Sequence, residues 1–261
     1  MDFGLEGKTA LVLAGGGGLG RAIAKSLATE GANVAVAGIG STSIDGTVAD
    51  LKAIGSKCIG LIWDLADLSV INANISKVES ELGAIDILVN NTGGPPPATA
   101  TGQDSTLWAA QFQSMVLSII AITDRVLPGM KSRGWGRILT STSSGVTSPI
   151  PNLAISNALR LSLVGWSKTL AGEVGKDGIT ANIVVPGRIA TSRVAALDNA
   201  KAKREGRSAE EVAAESQRAI PLGRYGKPEE YADVVAFLGS ERAAYITGSV
   251  IRVDGGMIAS I

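Results

Sequence analysis

Val12-Leu13-Ala14-Gly15-Gly16-Gly17-Gly18-Leu19-Gly20 lies between an apolar run at 9–14 and an amphipathic stretch at 19–30. The run has strand length and the stretch has helical periodicity, so the glycines occupy a strand-to-helix turn. Glycine there lets the backbone turn tightly and brings amide N–H groups up to an anion at the positive end of the helix. A glycine-rich turn alone is consistent with nothing more than a turn. Placed after the first strand of a repeating strand–helix pattern, it reads as a cradle for the pyrophosphate of a dinucleotide.

The alternation continues along the chain. Runs at 33–37, 59–63, 85–90, 137–141, 180–185 and 249–253 read as strands, and stretches at 68–82, 107–133, 155–175 and 228–238 read as helices. Seven strands separated by six helical stretches call for right-handed crossovers. The expected fold is a single α/β domain over 1–261, a Rossmann-type, doubly wound, seven-stranded parallel sheet. Residues 191–222 break the rhythm with charge-rich helical stretches at 195–207 and 209–218. An insertion of that length beside the carboxyl end of a strand reads as a lid or an oligomer contact. Pro95-Pro96-Pro97, after Gly93-Gly94, reads as a rigid loop.

Composition narrows the function classes. Hydrophobic residues make up 45% and aromatics only 4%, which suits a sheet core of Ala, Val, Ile and Leu covered by helices. Lys+Arg and Asp+Glu are both 24, a balance that argues against nucleic-acid or membrane-surface partners. No apolar run approaches the roughly 18 residues of a bilayer span, and residues 1–6 lack the pattern of a secretory leader. Cys58, the one cysteine, fits a reducing compartment, so a cytoplasmic protein is expected. The chain has no histidine, which excludes imidazole as base, triad member or metal ligand, and no metal site is expected.

With the motifs placed, the chain resembles the short-chain dehydrogenase/reductase family from end to end, in the manner of its 3-oxoacyl-acyl-carrier-protein reductases. The loop is similar to the family's Thr-Gly-x-x-x-Gly-x-Gly signature, with Leu13 at the threonine, Ala14 at the first glycine, and Gly18 and Gly20 at the others. Gly15, Gly16 and Gly17 supply flexibility, and Leu19 lies among them. Asp64, followed by Leu65, matches the acidic residue that contacts the adenine. Asn90-Asn91-Thr92-Gly93 resembles the element closing the fourth strand, which assigns Asn91 and Gly93 to the coenzyme. Pro186-Gly187-Arg188-Ile189-Ala190-Thr191 resembles the loop that holds the carboxamide, through Pro186, Gly187 and Ile189. Pro221-Leu222-Gly223-Arg224 and Val253-Asp254-Gly255-Gly256 complete the pattern.

The resemblance implies NAD or NADP as cofactor. The second strand ends in Ala37-Gly38-Ile39-Gly40-Ser41-Thr42-Ser43, with neither the carboxylate that selects NAD nor a basic residue for NADP. Gly38 and Ser41 offer free amides and a hydroxyl, and nothing acidic repels a 2′-phosphate, so the reading leans to NADP.

At the chemical end the chain departs from the family. The expected site is Asn, Ser, Tyr and Lys, with tyrosine donating a proton to a carbonyl oxygen as hydride arrives. Here the register carries the catalytic serine onto Ser143, the tyrosine onto Ser156 and the lysine onto Arg160. The asparagine falls near Met115, with Gln113 or Ser114 as stand-ins. An aliphatic hydroxyl is a far poorer acid than a phenol, and a guanidinium does not pass a proton onward. Arg160 retains the ability to hold ribose hydroxyls and to stabilise an oxyanion.

Three readings remain open: an oxidoreductase with an atypical Ser/Ser/Arg site acting on a small or acyl-type carbonyl substrate, a non-catalytic dinucleotide-binding sensor or scaffold, and a halohydrin-dehalogenase-like lyase. The pocket, rimmed by 94–98, 144–152, Arg188 and 191–222, reads as more hydroxyl-rich and apolar than charged. Lys131, Arg133 and Arg137, and separately Lys201, Lys203, Arg204 and Arg207, form basic stretches that suit an acyl-carrier partner or a solvated face. The family commonly pairs the long helices at 107–133 and 155–175 across a two-fold axis, so a homotetramer or homodimer is expected.

Overall fold

Thr9–Val12 (β1), Asn33–Gly38 (β2) and Ile85–Asn90 (β4) are short, apolar and buried on both faces, as interior strands of a covered parallel sheet must be. Cys58–Ile62 (β3), Gly136–Ser141 (β5), Ile179–Pro186 (β6) and Val250–Val253 (β7) complete a seven-stranded sheet of order β3-β2-β1-β4-β5-β6-β7. Every pairing is parallel, with Ala10 opposite Val34 on one side and Ile87 on the other. The order reverses between β1 and β4, and the crevice above that switch point is where open α/β sheets bind ligands. The computed structural model describes residues 2–261; Met1, the first residue of the stretch read for a leader, lies outside them.

Two layers of helices cover the sheet. Gly18–Thr29 (α1) buries Ile23 and Leu27, a single helical stripe, against Tyr231 and Val235 of Pro228–Leu238 (α9). On the opposite face Ile71–Leu82 (α3) buries Ile71, Ile75, Val78 and Leu82, spaced by three and four residues. Ser118–Arg133 (α5) and Ala154–Val174 (α6) complete that layer.

The architecture agrees with the sequence expectation, and several details differ. β1 ends at Val12 rather than at 14, because Ala14 adopts a left-handed backbone, φ 47°, and turns the chain. Ser41–Ala53 (α2), read from sequence only as part of a coenzyme loop, is a helix. Its sequence is polar, holds Gly46 inside, and buries only Ile44, Thr47 and Leu51, so its periodicity is weak. The helix expected at 107–133 is Ser105–Phe112 (α4) and α5 joined by a wide π-type turn at Gln113–Leu117. That combined helix, Ser105–Arg133, has the length and composition of a membrane span, contrary to the sequence reading; its inner side packs into the core through Ile119, Ile122, Val126 and Met130. The 191–222 insertion forms Ser192–Glu205 (α7) and Ala209–Arg218 (α8).

Candidate active site

A cavity of about 600 Å³ opens at the carboxyl ends of β1, β4, β5 and β6 and is covered on its far side by α7. The glycine loop reaches it through Ala14, Gly17, Gly18 and Leu19. Asn91, Gly93, Pro186, Gly187 and Ile189 line it, as do Ser143, Ser156 and Arg160. The fold therefore gathers most of the residues singled out from sequence. Gly15, Gly16, Gly20, Gly38, Ser41, Asp64 and Leu65 lie outside that lining.

The loop explains the division. Side chains at Gly15 and Gly16 would strike Val36 of β2 and Ser43 of α2, at 2.8 and 2.6 Å, so Gly15 faces the sheet and Gly16 faces α2. Gly20 sits against the loop itself, where a Cβ would come 2.2 Å from the Ala14 carbonyl oxygen. Gly17 instead borders open space and starts α1 without a capping side chain. The amides of Gly18, Leu19 and Gly20 have no acceptor within the helix, the first internal bond running from Arg21 N to Gly17 O at 3.3 Å. A side-chain-free cradle with open amides at the positive end of a helix fits a pyrophosphate.

At the neighbouring strand end, Gly38 closes β2, and Ser41 begins α2 with no acidic residue in its first turn. Arg21 is engaged by Asp50, with Nε and Nη2 donating to Oδ2 at 3.0 and 2.8 Å, and the guanidinium holds the Asp50 carboxyl below its usual range. Asp64 is exposed and accepts from Ala66 N at 2.9 Å, with Leu65 half-buried beside it. Asn91 donates to Leu13 O at 3.3 Å and ties the ends of β1 and β4 together.

Ser143 follows β5 in extended backbone and accepts from Gly145 N at 3.2 Å, which leaves its hydroxyl proton free to donate. Ser156 and Arg160 are one turn apart on α6, each only 7% exposed. Arg160 is anchored from both ends: Nη1 donates to Ser141 O at 3.3 Å, and Nη2 donates to Thr92 O and Gly93 O at 3.2 and 3.0 Å. These acceptors are neutral, and among the described residues no carboxylate pairs with it. Burial, together with the like charge of Arg193, brings its pKa down to about 10. Beneath it Tyr231, fully buried, donates to Ser141 Oγ at 2.8 Å, and burial pushes its phenol up. Thr92 and Thr142 also line this cavity, and their hydroxyls are buried with no partner among the described residues.

Neither proposed stand-in for the asparagine reaches the cavity. Gln113 Nε2 donates to Ala66 O at 2.6 Å, Ser114 Oγ donates to Gln111 O within its own helix, and Met115 is buried against Ile155 and Leu159. None of the three lines the cavity.

The expectation of a weakly charged pocket is corrected by α7. Arg193, Leu197, Lys201 and Arg204 recur at helical spacing on the face that meets the cavity, and Arg188 joins them. That periodicity is legible in the sequence, where the basic stretch suits an acyl-carrier partner or a solvated face and its approach to the cavity does not show. Several of these cations are neutralised: Arg188 by Asp198, which also accepts from Tyr225 at 2.7 Å, and Lys201 by Glu215 at 3.2 Å. Arg193 donates to the Pro95 carbonyl at 2.8 Å. Among the described residues no Asp or Glu lines the cavity.

The chain is similar in sequence and fold to known proteins. A family model described as Enoyl-(Acyl carrier protein) reductase matches residues 13–258. The 3-oxoacyl-[acyl-carrier-protein] reductase FabG of Escherichia coli (strain K12) is 37% identical over 258 residues, 98% of this chain and 99% of that one. The L-sorbose reductase from Gluconobacter frateurii, solved with NADPH and L-sorbose, superposes with a TM-score of 0.94 at 31% identity, with 100% of both chains covered. YwfH, an NADPH-dependent reductase involved in bacilysin biosynthesis, superposes with a TM-score of 0.92 at 29% identity over 97% of this chain and 99% of its own.

Proposed function

The chain belongs to the short-chain dehydrogenase/reductase family, and we propose that it is an NAD(P)-dependent reductase of carbonyl groups, working through Ser143, Ser156 and Arg160. The observation that carries this reading is the joining of the glycine cradle to the Ser143–Arg160 cluster in one cavity. When bound, a nicotinamide coenzyme supplies the hydride. Ser143 offers its hydroxyl proton to the carbonyl oxygen and so polarises it. Arg160, fixed by three backbone carbonyls, holds ribose hydroxyls and places a positive charge where the oxygen becomes anionic. The proton then comes from Ser156 or from water, since no phenol or imidazole lines the cavity.

NADP is the preferred coenzyme. The first turn of α2 presents open amides and the hydroxyls of Ser41 and Thr42 with no carboxylate to repel a 2′-phosphate, while the Ser43 hydroxyl is spent on the Gly40 carbonyl. Arg21, held by Asp50, takes no part in that preference. A small-molecule substrate suits the enclosed cavity. The basic stretch at 201–207 gives little support to an acyl-carrier partner, because Glu205 and Glu215 pair with Lys201, Arg204 and Arg207. The free thiol of Cys58 is consistent with a cytoplasmic location.

A second reading, a sensor that binds the dinucleotide without turnover, is favoured by one observation: no polar side chain replaces the asparagine. A dehalogenase-like lyase fits less well, because the cradle at Gly17 suits a pyrophosphate. Calorimetric titration with NADPH and with NADH tests the common premise. Micromolar binding, tighter for NADPH, is expected; absence of binding to either would remove the reductase and the sensor together.

A further inference from the structure

The cavity contains a charge problem that its own residues do not solve. Arg160 is a buried cation bonded only to neutral carbonyls, and Arg193 enters from α7 toward the same place. A Cβ on Gly94 would lie 3.1 Å from Arg193 Nη2 and 3.8 Å from Arg160 Nη2, so two guanidiniums crowd one point. Like charges this close repel, the more so because Arg160 is buried although Arg193 is exposed, and the standard remedy is a carboxylate between them. Elsewhere on the lid that remedy is present: Asp198 neutralises Arg188, and Glu215 neutralises Lys201. At Arg160 and Arg193 it is missing, and among the described residues no acidic side chain lines the cavity.

We propose that the counter-charge is supplied by the substrate: a small molecule bearing an oxyanion, carboxylate or phosphate, which docks on Arg193 and is held toward the buried cation of Arg160 with its carbonyl directed at Ser143. This deepens the reductase reading and rests on it. A guanidinium fork suits either oxyanion, since two parallel N–H donors match two oxygens. Arg193 is the docking residue, because Nη2 alone is engaged, by Pro95 O, and the other donors remain open. Its position at the start of α7, next to the Thr191 cap that lies against Gly18, lets substrate binding draw the lid onto the strand ends.

The test is calorimetry on the full chain, first with NADPH alone and then with oxalate or inorganic phosphate added to the NADPH-saturated protein. The wild type is compared with Arg193→Ala, Arg193→Lys and Arg207→Ala, the last an exposed arginine away from the cavity. One of the two oxyanions is expected to bind, and which one identifies the acidic group. Arg193→Ala should weaken that binding about tenfold or more, Arg193→Lys less, and Arg207→Ala not at all. Added potassium chloride should weaken it further. NADPH affinity should stay within about twofold across the set if Arg193 serves the substrate. Loss of NADPH affinity in Arg193→Ala would assign the arginine to the coenzyme's phosphates and overturn the proposal. So would oxyanion binding indifferent to Arg193, or no oxyanion binding at all. A wild type that binds oxyanion but no NADPH would sink the reductase reading while leaving the anion site standing.

Discussion

At Arg160, burial works against the charge. With its pKa brought from 12.5 to about 10, the cationic form is disfavoured on folding by on the order of 3 kcal/mol at neutral pH. The sign follows from proton uptake: the unfolded chain binds this proton more tightly, so the cost is full below pH 10 and disappears as pH rises from there to 12.5. A residue kept at such a cost, and fixed by three carbonyls, is a candidate site for a ligand's negative charge. Ser156, one turn earlier, is the weak member. Ser156→Tyr puts a phenol beside that cation, which favours its ionisation, and kcat for carbonyl reduction should rise about 10²-fold; an unchanged kcat would mean that proton delivery does not limit turnover. Ala14 is a second residue at odds with its place. A left-handed backbone costs an L-residue about 1–2 kcal/mol, while glycine gives back part of that in chain entropy. Ala14→Gly is therefore expected to stabilise the protein by about 0.5–1 kcal/mol in urea unfolding, and a destabilised variant would contradict the strain argument.

At the scale of elements, helix ends decide what was legible. The strands and the large helices announced themselves by apolar periodicity, and α7 and α8 by their break from it. α2 was hidden because three buried side chains and an internal glycine make too faint a stripe. The wide turn at 113–117 was hidden because α4, that turn and α5 form one continuous apolar pattern; only the fold shows Gln113 turned toward Ala66. Ser143, Ser156 and Arg160 were placed by register alone, whereas the pairing of Arg160 with Arg193 depends on a lid whose docking no local pattern encodes. The start of α9 carries an exposed ion pair that titrates with Glu230. Glu230 accepts from Arg224 and from Lys227 N at 2.7 Å, and the Arg224 bond, with the backbone bond second, brings its pKa from 4.5 to about 2. A carboxyl depressed in this way contributes stability that is fully present above pH 4.5 and is lost as pH falls toward 2. In Glu230→Gln that acid-dependent loss should shrink, read as a shallower fall of the urea midpoint across the same window. An unchanged slope would show the pair contributes nothing.

For the whole molecule, the doubly wound sheet brings six strand–helix junctions to one edge, and the cavity is the consequence. The same packing leaves an apolar surface on α4, α5 and α6. Only 33% of the most apolar window of Ser105–Arg133 is buried, and Leu161 on α6 is 51% exposed. We propose that these helices pair between copies of the chain, giving a homodimer or homotetramer. Leu161→Glu should then shift the mass measured by light scattering toward the monomer; a wild-type protein already monomeric at micromolar concentration would contradict the pairing. The central claim is that cradle and cluster together reduce a carbonyl, and the most direct measurement is loss of reduced nicotinamide absorbance when NADPH-saturated protein meets a panel of oxo-acids and neutral ketones. Oxidation of NADPH by the wild type is expected, slowed about 10²-fold or more in Ser143→Ala, with NADPH affinity retained in both. NADPH held tightly by the wild type and oxidised by no member of the panel would contradict it and leave the sensor.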